Sequence, residues 1–212
     1  MPDGREAITV RVVTSLDDVD AQAWDACAGD DNPFVSYSFL SALEDSGSAT
    51  GETGWGCQHL IIEDGDGGYL GVAPIYVKSH SYGEYVFDWG WADAYERAGG
   101  RYYPKLQVAA PFSPVTGPRL LARPGDDAES VRATLIAGMI ETVKQYKLSS
   151  VNVTFPHEAD AGRLEAAGFL IRHGHQFHWR NEGYESFDDF LANLSSRKRK
   201  NIRKERKAIA DF

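Results

Sequence analysis

Residues 58–77, QHLIIEDGDGGYLGVAPIYV, decide the fold. Two apolar runs, 58–63 and 69–77, flank Asp64-Gly65-Asp66-Gly67-Gly68. Gly and Asp tolerate the positive φ that tight hairpin turns demand, so the segment predicts an antiparallel hairpin. On its N-terminal side, Ile8, Val10 and Val12 alternate with polar residues, which predicts a first strand. Ser15-x-x-Asp18 reads as a capping box, with Leu16, Val19, Ala23 and Cys27 following at helical spacing. Asn32-Pro33 breaks the chain, and Phe39, Leu40 and Leu43 predict a short second helix capped near Ser36. On the C-terminal side, residues 84–88 and 105–110 read as strands, and 111–125 as a turn-rich stretch with one short strand. Val131, Leu135, Met139, Val143 and Tyr146 form the apolar stripe of a long helix. A strand at 151–155, a helix at 158–167 ended by Gly168 and a long strand over 169–179 follow. Ser186-x-x-Asp189 caps a further helix with Phe187, Phe190, Leu191 and Leu194 on its inner face. Early hairpins giving way to alternating α and β imply an α/β (α+β) fold: a mixed, largely antiparallel sheet under helices, not a doubly wound parallel one.

Length and composition fit one large domain or a domain with the start of another. The 212 residues are 42% hydrophobic and 12% aromatic, enough for a sizeable core. Two cysteines, Cys27 and Cys57, imply no disulfide framework. The N-terminus has no signal-peptide h-region and no apolar run is long enough for a membrane span, so a cytoplasmic protein is expected. Net charge is −9, yet residues 197–207, RKRKNIRKERK, hold eight Lys/Arg and one Glu. The remaining residues hold 14 basic against 30 acidic groups. The basic run has no Gly or Pro and reads as a helix whose cations begin beside Ser195-Ser196. There the helix dipole opposes positive charge, which is easier to understand if an anion faces it. No Gly, Asn or Pro caps its far end.

Three stretches, 32–44 (NPFVSYSFLSALE), 86–121 (VFDWGWADAYERAGGRYYPKLQVAAPFSPVTGPRLL) and 168–206, carry a resemblance. They resemble the FemAB-like branch of the GNAT N-acyltransferase superfamily, associated with peptidoglycan biosynthesis. The resemblance implies a GNAT-like fold with helices on both faces of the sheet. It also implies a chain about twice as long with two GNAT-like units. Residues 1–194 would be the first, and the basic helix at 195–212 would open a second. The Fem transferases that the branch resembles move an aminoacyl group from tRNA onto a cell-wall precursor, with the first unit helping to hold the acceptor. The expectation is therefore an acceptor-binding unit of an acyl- or aminoacyltransferase, inactive as the fragment alone. The donor is aminoacyl-tRNA or acyl-CoA, and no cofactor is held tightly. The alternative is a non-catalytic GNAT-fold module binding a peptide, glycan or nucleic acid.

Candidate site residues fall into four groups. Arg197, Arg199, Lys200, Arg203 and Lys204 read as an anion site, for a phosphate or a tRNA backbone, or else as a solvated charged face. Arg197, Lys200 and Lys204 fall on one side; Arg199, Arg203 and Arg206 fall on another, with Ile202, Ile209 and Phe212 as an apolar stripe. Asp88, Trp89, Trp91, Tyr95, Tyr102, Tyr103 and Lys105 read as a groove for a glycan or peptide acceptor, because aromatic faces stack on sugars, or else as packing under a long loop. Gln176-Phe177-His178-Trp179 lies within a matching motif, so His178 and Trp179 stay candidates for substrate contact. His173 and His175 share the opposite strand face from His178, which argues against a three-His metal site, and no metal is expected. Arg119 follows a Thr116-Gly117-Pro118 turn and is either a surface arginine or a phosphate or carboxylate contact. Asp88 and His178 are the two candidates for a catalytic base. No (R/Q)-x-x-G-x-(G/A) loop precedes the helix at 128–147, nor is there a P-loop, G-x-S-x-G or HExxH.

Overall fold

The computed structural model describes residues 9–86 and 88–210. Ile8, Phe87 and Phe212, which figure in the sequence expectations, lie outside the described residues. The chain forms two compact units, Met1–Ile171 and Arg172–Phe212.

In the first unit the expected hairpin is β3 (His59–Glu63) with β4 (Tyr69–Ala73), paired antiparallel. β1 (Val10–Val13) adds antiparallel to β3, and β7 (Leu121–Ala122) to β4, giving the order β1-β3-β4-β7. The predicted strand 69–77 does not run straight through. Pro74 lacks an N–H and interrupts the ladder, so Ile75–Lys78 becomes β5 of a second sheet. That sheet has the order β2-β5-β6-β8, from β2 (Trp55–Cys57), β6 (Lys105–Val108) and β8 (Val151–Val153). Only the β6/β8 pair among these is parallel, so the expected mixed, largely antiparallel arrangement holds. At the break the Gln58 N–H reaches the Ile75 carbonyl at 2.8 Å, and the Ile75 N–H donates to His59 Nδ1 at 3.1 Å. An imidazole thus replaces a strand carbonyl where the two sheets part.

Alternation along β3 divides the core. Leu60 and Ile62 face α4 (Ala128–Tyr146) in a cluster with Ile75, Leu106, Leu135 and Met139. Ile61 faces the other side, where Trp24, Cys27, Leu40 and Val72 pack with α1 (Ala21–Ala28) and α2 (Tyr37–Asp45). Helices therefore cover both faces. The α4 stripe is buried as expected through Val131, Leu135 and Met139, but Tyr146 at its end is exposed. A Cβ on Gly71 would collide with Val131 Cγ1, so only glycine lets α4 lie this close to β4.

Three further expectations need correction, and one helix was missed. The helix predicted from Ser15 is two elements: Ser15 caps a single 3-10 turn, Leu16–Asp18, and α1 starts afresh with Asp20 accepting from Ala23 N. Val19 between them is extended, because a second capping residue lies only five positions after the first. Residues 84–86 form no strand, since Gly83 (φ +80°) and Tyr85 (φ +56°) turn the chain. The aromatic stretch after them contains a helix the sequence reading missed, α3 (Trp89–Arg97), closed by Gly99 at φ +86°. Finally, 169–179 is in no strand. Its alternation supplies a face, but among the described residues no neighbour supplies the ladder. By contrast α5 (Glu158–Ala166), ended by Gly168 at φ +92°, forms as read.

The second unit holds α6 (Phe187–Ala192) and α7 (Ser196–Ala210). Ser186 accepts from Asp189 N, as the capping pattern predicts. α6 packs with α7: Arg199 donates to the Ala192 and Leu194 carbonyls, Arg203 pairs with Asp188 at 3.1 Å, and Arg206 lies 4.1 Å over the Phe187 ring.

Candidate functional site

The site is built on two lysines that end buried strands. Lys78, the last residue of β5, and Lys105, the first of β6, stand opposite each other in the ladder. Both are buried, at 0% and 1% exposure. A buried ammonium needs partners. Lys105 Nζ contacts Glu84 Oε2 and Asp88 Oδ2, each at 2.7 Å. Lys78 Nζ donates to the Tyr82 carbonyl at 3.2 Å and lies 3.5 Å over the Trp55 ring. The lysines thereby pin the 81–88 segment from beneath. Tyr102 donates to Asp88 Oδ2 at 2.8 Å, and Ser81 Oγ meets Tyr103 OH at 2.7 Å. Asp88 sits at the N-cap of α3, yet its side chain caps nothing, because Lys105 and Tyr102 claim it. Gly83 is held to glycine by its positive φ and by Phe112, whose ring a Cβ would strike.

Burial and charge pull the titrations apart. Burial, partly opposed by Glu84 and reinforced by Lys105, takes Lys78 down to about 7. Burial raises Glu84 despite Lys105 beside it. Burial also opposes ionisation of Asp88, but the Lys105 ammonium and the Ser81 and Tyr102 hydroxyls outweigh it and hold Asp88 below its ordinary value. Tyr102 is pushed up by burial and by the Asp88 carboxylate. As a base, Asp88 is weak; the titration of Lys78 lies nearer the range suited to proton transfer at neutral pH.

Above this buried cluster the same segment turns aromatic side chains outward. Tyr82 (66% exposed), Tyr85, Trp89, Trp91 (64%) and Tyr95 are all exposed. Tyr82 and Trp89 meet edge to face, and Tyr95, Tyr102 and Tyr103 continue as a second run of ring contacts. Sequence reasoning found Asp88, Trp89, Trp91, Tyr95, Tyr102, Tyr103 and Lys105, and the fold gathers them around this segment. It missed Lys78, Ser81, Tyr82, Glu84 and Tyr85. The available signal was a lysine closing the apolar run IYVK, with an acid six residues later and another four beyond.

The remaining candidates lie elsewhere. Arg119 is fully buried; its guanidinium donates to the carbonyls of Thr154, Pro118 and Val115, and Asp160 accepts from its backbone N–H. It ties the 115–119 turn to the end of β8. His178 and Trp179 belong to the second unit. His178 Nε2 lies 3.0 Å from Gln176 Oε1, and Trp179 stacks on Tyr184 and meets Phe190 edge-on. Along α7, Arg199 and Arg203 serve α6, whereas Arg197, Lys200, Lys204 and Lys207 are exposed and make no ion pair with a described residue.

Glu44, Cys57 and His59 bring three possible metal-ligand atoms within 4.8 Å of one another. The donor set does not fit. His59 Nδ1 accepts the Ile75 N–H, so its hydrogen is on Nε2, facing Glu44 Oε1 at 3.0 Å. Ligation through Nε2 needs a protonated Nδ1 donating outward, which the Ile75 N–H forbids. Burial and the Glu44 carboxylate push the Cys57 thiol up to about 12, far from a thiolate ligand.

The first unit thus sets a buried ionic cluster beneath exposed aromatic rings in a two-sheet α/β frame. A family model described as FemAB-like, peptidoglycan biosynthesis/recognition, matches residues 15–212, and the chain belongs to that family. No curated protein matches the chain. Among solved structures, a Trypanosoma brucei acetyltransferase is similar at 14% identity and TM-score 0.49, over 82% of this chain and 100% of that one. AAC(6')-Iy, in complex with a CoA-based bisubstrate analogue, is similar at 14% and 0.49, over 83% and 99%. A ribosomal-protein-alanine N-acetyltransferase from Brucella melitensis is similar at 11% and 0.45, over 82% and 99%. Among the described residues no helix is long and apolar enough to cross a membrane.

Proposed function

We propose that this chain is the acceptor-recognition part of an N-acyltransferase-type protein acting on peptidoglycan or its precursors. The observation that carries the reading is the cluster of exposed aromatic rings on 82–95, anchored from below by Lys78 and Lys105. Aromatic faces stack on the apolar faces of sugar rings, and a platform fixed before binding loses little entropy when the ligand arrives. Family membership supports the peptidoglycan part of the reading. In the transfer, an acceptor amine attacks an activated acyl or aminoacyl carbon, carried by acyl-CoA or aminoacyl-tRNA. The amine must lose a proton and the carbonyl oxygen must be stabilised. Asp88 already serves Lys105 and Tyr102, so its part is to hold the platform. The open row of α7, Arg197, Lys200, Lys204 and Lys207, is the surface for donor or precursor phosphates.

The test is a tryptophan-fluorescence titration with soluble muropeptides. Saturable quenching is expected, weakened about tenfold or more by Trp91→Ala at unchanged melting temperature. Absence of saturable binding, or equal affinity in the variant, overturns the reading. A plain binding module is the second reading: it predicts the same titration but no transfer to any amine by the full-length protein with either donor.

A further inference from the structure

Tyr82 is 66% exposed and lies in the turn between β5 and α3, yet both of its backbone groups are held. Its N–H donates to His80 Nδ1 at 3.2 Å, and its carbonyl accepts from Lys78 Nζ at 3.2 Å. Both holders are titratable. The half-buried His80 ring also meets the Tyr82 ring edge to face, with centroids 5.0 Å apart, and Tyr82 in turn meets Trp89 at 6.1 Å. Room for the imidazole comes from Gly54, whose φ is +78° and where a Cβ would strike His80 Nε2. The Tyr82 N–H can be accepted only while Nδ1 carries no proton. An imidazolium offers two donors and no acceptor, so protonation sets N–H against N–H.

We propose that His80 is a positioning residue of the aromatic platform: its uncharged ring fixes Tyr82 beside Trp89 for the acceptor, and a proton on Nδ1 lets Tyr82 go. The inference deepens the acceptor-recognition reading and rests on it. A ring fixed before binding loses less freedom when the ligand arrives. Burial and then the Lys78 charge hold His80 below its ordinary 6.5, outweighing the Thr53 backbone and its own, which favour the charged form. The clamp is therefore whole above 6.5 and is lost as pH falls from there through the folded titration. Among the described residues Lys78 is the charged group that bears on His80, and Glu84 and Lys105 bear on Lys78 in turn. Lys78 gains its own proton near 7, which strengthens its bond to the Tyr82 carbonyl and opposes the loss. Glu84 titrates above its ordinary 4.5, so a variant, and not acidity alone, isolates His80.

The experiment follows soluble muropeptide binding to the full-length protein by tryptophan fluorescence from pH 7.5 to pH 5.0, alongside the Tyr82 amide resonance of the ligand-free protein. Wild-type affinity is expected to fall about fivefold over that range, as the loss of one hydrogen bond would give, and the Tyr82 amide to shift with it. His80→Leu should lose about fivefold at pH 7.5. His80→Asn should recover most of that loss and remove the acid dependence, because Asn Oδ1 stands as many bonds from the backbone as His Nδ1 and does not titrate. An equal acid loss in His80→Asn, or a wild-type Tyr82 amide that does not move with pH, overturns the clamp and leaves the platform standing. Should His80→Leu fail to fold, wild type against His80→Asn decides. Absence of muropeptide binding at every pH overturns the platform reading and the positioning role with it, even where the Tyr82 amide titrates.

Discussion

Charge is dense in two regions of this protein, and the two use it oppositely. Around Lys78 and Lys105 two cations and two carboxylates are buried within the first unit. Along α7 eight cations crowd one exposed helix, three of them spent on α6 and five left exposed. In the first region removal from water makes each partner count heavily. In the second, water and salt screen everything, and only a multivalent anion gains much from the row. Density of charge in a sequence is thus a poor guide to its energetic weight; burial decides that.

The comparison breaks most easily at Lys105. Lys105→Met leaves Glu84 and Asp88 buried with no ammonium, and a loss of about 3–5 kcal/mol is expected in urea unfolding. Adding Glu84→Gln and Asp88→Asn should recover much of that loss. A cost under about 1 kcal/mol for Lys105→Met would mean that the cluster is wet and the contrast false.

A smaller effect sharpens the picture at Lys78. Its titration near 7 lies below the ordinary 10.5, so between those values the unfolded chain binds more protons than the folded one. Stability contributed by this group therefore rises with pH across that window. The raised titration of Glu84 acts with the opposite sign, from its ordinary 4.5 upward. Denaturation of wild type and Lys78→Met at pH 7 and pH 9 should show wild type gaining on the variant at the higher pH. A constant difference would place Lys78 in water.

On α7 the expected stability effects are the smallest. Arg203→Gln breaks an exposed pair with Asp188 and should cost roughly 0–1 kcal/mol. Lys200→Gln with Lys204→Gln should leave the melting temperature unchanged within a degree. The same double variant should flatten the salt dependence of any phosphate-ligand binding, because fewer counterions are released. A stability loss in the double variant equal to that of Arg203→Gln would show that both rows of α7 are structural.

Much of the frame was legible in the sequence. The hairpin at 58–77, the helices at Ser36 and 128–146, the Gly168 stop and the Ser186 cap depend on neighbours a few residues away. Capping, turn chemistry and apolar periodicity operate at that range. The failures share the opposite property. The strand read over 169–179 has the right alternation, but a strand is completed by another strand's backbone groups. The strand read at 84–88 yielded to a turn whose shape is fixed by Lys78 and Lys105 beneath it. The split of 69–77 at Pro74 was available in principle, since a missing N–H forbids a continuous ladder.

The site divided the same way. Trp89, Trp91, Tyr95, Tyr102, Tyr103 and Asp88 stand out in sixteen consecutive positions, 88–103, and could be named without coordinates, whereas Tyr82 and Tyr85 could not. That Glu84 and Asp88 share Lys105, and that Lys78 is buried and turned aside, could not. Local sequence determined the elements, their caps and the family; tertiary structure alone decided which charges leave water. Burial depends on segments distant along the chain closing over a group, and no short-range pattern encodes that.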